Sequence, residues 1–536
     1  MDKETEAYVA YNPLYGVSTW KIVPPGFSTD AAQAVAAAKA TRSMQAIHRR
    51  EHPLRIFASV WVEKPQHWQL DFTYRDRRVA EVDVSPRGRV IAVWTGPQVV
   101  APYARGHYAP LFDSWWIVVP FSAAFLLPFL DPRRWRRMVH LDALALLSFI
   151  GSYALFDHLQ LEAAVWAVYP PMLYLVARLW WIGNRGAAET RGLSPLLPIW
   201  MLAGGLAALT AARVTLGIVG HQVIDVSWAS VGGAQHILSG QPLYSHGNAH
   251  GDTYGPFMYL TYVPFLLLLP WHGLLGFVPA AKAASITFDV LTIAALVALG
   301  WRLRGGRRGV RLGLALAWVW AACPFTLLAL MARTNDALVA LLSVLSLLAF
   351  SSRPARGALL GLAAAAKFSP GGLLPLYAGG RGDSVRGRLA CIVPAAAVFV
   401  GLVMVFLPAG GVSEFYQRTI GYQLTRGDVF SPWALHPGLA PLKVPLELLA
   451  AGLVIAPAFF RRRRSLVEVC ALAGAITIAL QLPAVHWFYF YILWFLPFIA
   501  VALLGGGREH GAVVPAVEVR EQDREPAMPE PALVGA

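Results

Sequence analysis

Side chains able to do chemistry cluster in four polar stretches between apolar runs. Asp225 opens the stretch 220–253 and Tyr254 follows it. Arg333-Thr334-Asn335-Asp336 forms a short turn, Arg418 and Arg426 lie in 409–440, and His486 sits near the last apolar run. A carboxylate such as Asp225 can take a proton during group transfer, and guanidinium forks match phosphate oxygens. Each group also has a plainer role. Asp225 could cap the amphipathic helix it opens, with Trp228, Val231 and Leu238 at helical spacing, and Asn335 could cap the next one. Arg418 and Arg426 read equally as solvated loop charges. His246, His250 and Asp252 have ligand-compatible spacing, but nothing else in the sequence completes a metal site. Arg213, Asp289 and Lys367 lie inside apolar runs, where a charge costs about 3 kcal/mol on insertion scales. Ion pairing and a substrate path explain them equally. The aromatic run Trp487–Tyr491 fits an interfacial belt.

The chain around these residues is not that of a soluble protein. Of 536 residues, 56% are hydrophobic and 14% charged, against roughly 25% charged in a soluble globule. That composition excludes a disordered or collagen-like chain and predicts a polytopic α-helical membrane protein. The formal net charge of +14 comes mostly from Arg, which in such a chain points to orientation and anionic lipid, with no nucleic-acid partner. The three cysteines, Cys323, Cys391 and Cys470, stand in separate apolar runs, so no disulfide, zinc site or redox pair is expected.

Membrane segments are predicted near 114–130, 140–157, 161–182, 196–219, 254–271, 280–301, 312–331, 335–351, 357–379, 389–408, 441–460, 466–483 and 486–504, about 11–13 in all with broken or re-entrant helices among them. Pro256 and Pro270 bracket one broken segment, and Ser369-Pro370-Gly371-Gly372 interrupts another. Such breaks survive at membrane depth only where protein or a wet cavity covers them. Residues 1–111 differ. An Ala-rich helix is expected over 31–48, then alternating strands through 68–74 and 79–84, a turn at Ser85-Pro86-Arg87-Gly88 and a strand over 89–94. This small α+β domain resembles the PepSY-type domains on the outer side of bacterial membrane proteins. No leader pattern precedes it, so no cleavable signal peptide is expected. Residues 112–195 read as additional transmembrane helices, and 505–536, Pro- and charge-rich without periodicity, as a disordered cytoplasmic tail.

Arg placement sets the expected orientation. Clusters at Arg133–Arg137, Arg178/Arg185/Arg191, Arg302–Arg311, Arg353/Arg356, Arg381/Arg386/Arg388 and Arg461–Arg464 can all lie inside. Arg333, Arg418, Arg426 and Lys443 then remain outside with all four polar stretches, and the N-terminal domain is also extracytoplasmic.

On that face, Asp225, the stretch Ala234-Gln-His-Ile-Leu-Ser-Gly-Gln-Pro-Leu-Tyr244 and Tyr254-Gly255-Pro256 entering a short helix resemble the first loop of GT-C glycosyltransferases, family 87 above all, which includes mycobacterial mannosyltransferases. Gly361-Leu-Ala-Ala-Ala-Ala-Lys367-Phe-Ser-Pro370 is similar to that family's Gly-rich Lys-x-x-Pro segment, and His486-Trp-Phe-Tyr to its C-terminal His-aromatic turn. The resemblance spans about 196–504. It implies an inverting transferase of the bacterial plasma membrane that moves a hexose such as mannose from a polyprenyl-phosphate donor to a lipid or cell-envelope glycan acceptor. Asp225 matches the base position. Tyr254, Arg333, Asp336, Arg418, Arg426 and His486 become candidates for holding donor phosphate and sugar. Two departures stand out: Tyr-Gly-Pro replaces the usual Tyr-Pro-Pro, and no Asp-x-Asp pair follows, so no cofactor and no divalent metal is expected. A transporter or lipid-linked-glycan flippase would also use broken helices and buried charge, though it would place polar groups near mid-bilayer. A membrane sensor built around the N-terminal domain is a third reading.

Overall fold

The structure is a computed structural model. It describes residues 9–10, 23–61, 66–75, 77–96, 99, 114–131, 133, 138–158, 160–185, 194–220, 223–244, 252–271, 278–380, 382–425, 430–460 and 464–506. Arg426, His246, His250 and nearly all of the 505–536 tail lie outside these residues.

The N-terminal sheet has the order β1 (Val9–Ala10), β2 (Arg55–Trp61), β3 (His67–Tyr74), β4 (Arg77–Val84) and β5 (Val90–Thr95). Among the described strands, the β1–β2 pair is parallel and the others antiparallel. Period-two alternation sends Trp68, Leu70 and Phe72 of β3 and Ala80, Val82 and Val84 of β4 to one face. There they meet Ala31, Ala34, Val35 and Ala38 of α1 (Ala31–Lys39). The single helix expected over 31–48 is in fact two. Thr41 takes an extended conformation and its Oγ1 accepts from the Met44 amide, starting α2 (Arg42–Arg50) anew.

The remainder is a polytopic helical membrane core. Its first helices are α3 (Trp115–Leu126), α4 (Met138–Asp157), α5 (Leu161–Ala167), α6 (Tyr169–Arg185) and α7 (Ile199–Val219). The segment expected over 161–182 divides at Val168, ahead of Pro170 and Pro171, which lack the amide that would continue the ladder. Next come α8 (Asp225–Leu238), the short α9 (Pro256–Leu260) and α10 (Val263–Leu268), then α11 (Pro279–Arg304), α12 (Gly306–Ala322), α13 (Pro324–Met331) and α14 (Asp336–Leu348). The last group is α15 (Arg353–Ala366), α16 (Leu374–Ala378), α17 (Val385–Val405), α18 (Gly411–Tyr416), α19 (Tyr422–Thr425), α20 (Pro432–Leu435), α21 (Lys443–Phe459), α22 (Leu466–Gln481) and α23 (Ile492–Leu504).

Five described helical stretches are long and apolar enough to cross a bilayer: α4, α7, α11, α17 and Pro437–Phe459. The α12–α13 pair, bent by 58° at Pro324, makes a sixth if it counts as one span. Both breaks expected from proline are present, between α9 and α10 and after α15. Helix α15 lies directly on α17, because a Cβ at Gly357 or Gly361 would fall on the carbonyl oxygens of Cys391 and Ala395. Small residues four apart permit that approach, and it fixes the end of α15 from which Lys367 projects.

The aromatic run 487–491 is core rather than belt. Trp487, Phe488, Tyr489 and Phe490 are all buried. Tyr489 shares a 2.8 Å hydrogen bond with Ser152 of α4, and Trp487 stacks on Phe149. The helices that precede residue 196 therefore form a wall of the core.

Candidate functional site

Ile224, not Asp225, occupies the N-cap of α8. Asp225 is the first residue inside the helix, and its Oδ1 accepts from the Val226 amide at 2.9 Å, so the expected capping role does not apply. A carboxylate on the first turn of a fourteen-residue helix sits at the positive end of the helix dipole. Asp225 is half-buried, and among the described residues no cation pairs with it. Asp252, Asp289 and Asp336 each face one.

The 333–336 turn packs against this same first turn of α8. Ser227 Oγ donates to the Arg333 carbonyl at 3.0 Å, and Asn335 Nδ2 donates to Ser230 Oγ at 3.0 Å. Asn335 stands at the cap position of α14 but makes no side-chain cap bond, because its amide reaches across to α8 instead. Arg333 has φ +54°, a left-handed conformation that costs a non-glycine residue of order 1–3 kcal/mol and persists only where the surroundings over-determine it. Its Nη2 donates to the Gly220 carbonyl at 2.7 Å, tying the turn to the end of α7. Arg333, Thr334, Asn335 and Asp336 are all buried.

Two main-chain ties place Tyr254. Its amide donates to the Tyr259 hydroxyl at 3.1 Å, and its carbonyl accepts from the Tyr244 hydroxyl at 2.9 Å. The next residue explains the departure from Tyr-Pro-Pro. The Gly255 amide donates to the Ala366 carbonyl at 3.1 Å, and a Cβ there would fall on the Ala365 carbonyl oxygen. Proline would lose the donor and add the clash.

Beside this tie, Lys367 Nζ donates to Asp336 Oδ1 at 2.6 Å, and Trp494 Nε1 donates to the same oxygen at 2.9 Å. The ammonium lies 5.1 Å from the Tyr254 ring centroid, 5.2 Å from Trp494 and 5.9 Å from Tyr491. Asp225 lies on the turn of α8 that Ser227 joins to the Arg333 carbonyl, and Asp336 of that same 333–336 turn holds Lys367, so the two carboxylates, the ammonium and the aromatic faces occupy one locality.

The 409–440 stretch reaches it through Asp252 and His486. Arg418, on a π-helical turn over Gln417–Gly421, pairs with Asp252 at 2.8 Å and with Glu414 at 2.8 Å. Arg418 is therefore no freely solvated loop charge, and Asp252 serves this pair. His486 is half-buried, its ring 5.0 Å edge-on from Phe430 and 6.1 Å from Tyr491. Each of the four polar stretches thus touches another, and all meet at one end of the bundle. Arg213 and Asp289 form a separate ion pair, bound through two N–H···O contacts of 2.5 and 3.1 Å.

Such a locality can accept a proton at Asp225, hold an anion near Lys367, and stack a sugar ring on Tyr254, Tyr491 or Trp494. Lys367 and Trp494 enter it without having been assigned there from sequence. For Lys367 the signals were a charge inside an apolar segment beside a Ser-Pro-Gly-Gly break and its place in the Gly-rich Lys-x-x-Pro segment; Trp494 carried none.

Residues 253–485 match glycosyltransferase family 87. Tyr254, Arg333, Asp336, Lys367, Arg418 and Arg426 fall within the match, whereas Asp225 and His486 lie outside it. No curated protein matches the chain.

Proposed function

With its core over 253–485 belonging to glycosyltransferase family 87, this chain is a membrane glycosyltransferase, and we propose that it inverts the anomeric centre of a hexose. The sugar moves from a polyprenyl-phosphate donor to a hydroxyl of a lipid or cell-envelope glycan acceptor, on the outer face of a bacterial plasma membrane. Asp225 is the base. The acceptor oxygen attacks the anomeric carbon, its proton passes to the Asp225 carboxylate, and the bond from that carbon to the phosphate oxygen breaks, leaving polyprenyl phosphate with the electron pair. Tyr254, Asp336, Arg333, Arg418, Arg426 and His486 shape and hold the donor end. No metal or other cofactor is assigned a step.

The observation that carries this reading is the state of Asp225, the carboxylate with no described cation partner among neighbouring ones that are paired. Orientation is supported by the length of α11. Its first turn stands at the site end, where Lys282 Nζ donates to the Ile218 carbonyl at 2.8 Å. Its far end, about 39 Å away at 1.5 Å per residue, opens the Arg302–Arg311 cluster. Basic clusters mark the cytoplasmic side.

The test is Asp225→Asn. Asn keeps the size and the acceptor for the Val226 amide, so folding survives. Transfer from a polyprenyl-phosphate hexose by the purified variant is expected to fall about 10²–10⁴-fold. Turnover within a small factor of wild type removes Asp225 from the chemistry.

A further inference from the structure

The bond that breaks in this transfer leaves a second negative charge on the departing phosphate, and a low-dielectric site must meet it with a fixed positive group. Two of the arginines assigned to the donor end already spend donors on protein groups. Arg333 is turned to the Gly220 carbonyl, and Arg418 bridges Asp252 and Glu414. Lys367 is differently placed.

An ammonium carries three donors. Lys367 Nζ spends one on Asp336, and neither that ammonium nor Asp336 Oδ2 makes a further hydrogen bond among the described residues. The rest of the ammonium is lined by the faces of Tyr254, Tyr491 and Trp494, which favour a cation but consume no donor. Lys367 is also the C-cap of α15, so the carbonyl end of that helix supports the positive charge. Asp336 is itself held, by the Trp494 indole, at the start of α14. A cation with unused donors, walled by the rings that could stack a sugar and held by the 333–336 turn that bonds to the helix of Asp225, is built to receive an anion.

We propose that Lys367 binds the leaving phosphate oxygen of the donor and that Asp336 is the residue that positions it. This rests on the donor assignment above. As the bond from the anomeric carbon to oxygen breaks, the electron pair stays on that oxygen and Lys367 donates a hydrogen bond to it, while the acceptor's proton goes to Asp225. Because the interaction strengthens as charge develops, its loss acts on kcat more than on donor KM.

The experiment compares wild type, Lys367→Met, Lys367→Arg and the double variant Lys367→Met/Asp336→Asn in transfer from a polyprenyl-phosphate hexose, with kcat and donor KM measured separately. Lys367→Met is expected to lower kcat about 10²–10³-fold. Lys367→Arg, which keeps the charge, should recover most of that loss. The double variant removes both charges together, so it leaves no buried carboxylate unpaired and tests the idea even if the single variant misfolds. It should fold and remain as impaired in kcat as Lys367→Met. A double variant with wild-type kcat shows that Lys367 serves only to neutralise Asp336, and overturns the inference alone. Wild-type protein that transfers nothing from this donor overturns the donor reading and the inference with it.

Discussion

Two ion pairs buried in the same helical core are built to opposite ends. Arg213 and Asp289 saturate each other. The guanidinium gives Nε and Nη2 to the two carboxylate oxygens and Nη1 to the Ala321 carbonyl and Thr326 Oγ1, while Trp320 Nε1 donates to Asp289 Oδ1 at 2.8 Å. Arg213 is 0% exposed. Lys367 and Asp336 instead meet through a single bond to one oxygen, with aromatic faces in place of further partners, and the lysine side chain keeps 9% of its exposure. The first pair locks α7, α11 and α12 together and leaves nothing to offer a ligand. The second leaves donors and an acceptor unspent. A buried charge is informative about function through what remains unsatisfied around it, not through its burial.

That contrast can be broken or sharpened in order of expected size. Arg213→Met strands Asp289 in the core, and about 3–5 kcal/mol of stability should be lost, read as a large fall in thermal midpoint or as failure to express. Arg213→Met/Asp289→Leu should regain most of it. Full activity and stability in the single variant would mean that the saturated pair is no structural lock. Gly255→Ala forces a methyl onto the Ala365 carbonyl, and a loss of about 1–3 kcal/mol is expected, as for other overpacked sites. Transfer should fall with it, because Tyr254 shifts from the Lys367 ammonium; wild-type kinetics would separate that contact from catalysis. Smallest is Ser227→Ala, which removes the bond to the Arg333 carbonyl at a net value of about 0.5–1.5 kcal/mol. Its signature is faster amide exchange across 333–336 with α14 otherwise unchanged, and unchanged exchange there would show that the left-handed turn is held by other contacts.

Much of this arrangement was legible in the sequence. The Ser-Pro-Gly-Gly break located the interruption after α15, because a missing amide has local consequences, and Pro256 and Pro270 marked 254–271 as broken without placing its break at Thr261–Tyr262. Alternation located β3 and β4, and the turn at Gly88, with φ +78°, followed from its residue types. Asp225, Tyr254, the 333–336 turn, Arg418 and His486 could be singled out as polar stretches. Their partners could not. Lys367 and Asp336 are 31 positions apart, and their meeting depends on where α15 stops and how closely it lies on α17. The aromatic run 487–491 misled for a related reason. Composition alone suits a membrane surface equally well, and only the packing of α4 against it makes it core. Arg213 and Asp289 posed the same ambiguity, settled by geometry that composition does not contain.

The hydrogen bond from Gly255 to Ala366 links two parts of the chain more than a hundred residues apart through main-chain atoms only. On one side the next side chain is Tyr254, on the other Lys367. The ring and the cation are therefore mounted on a shared backbone clamp that owes nothing to the identity of either. The frame that presents residues 254 and 367 is thus made of backbone, so provided the charge on Asp336 is matched, this corner of the protein is a place where the choice of sugar or carrier could be retuned through side chains alone.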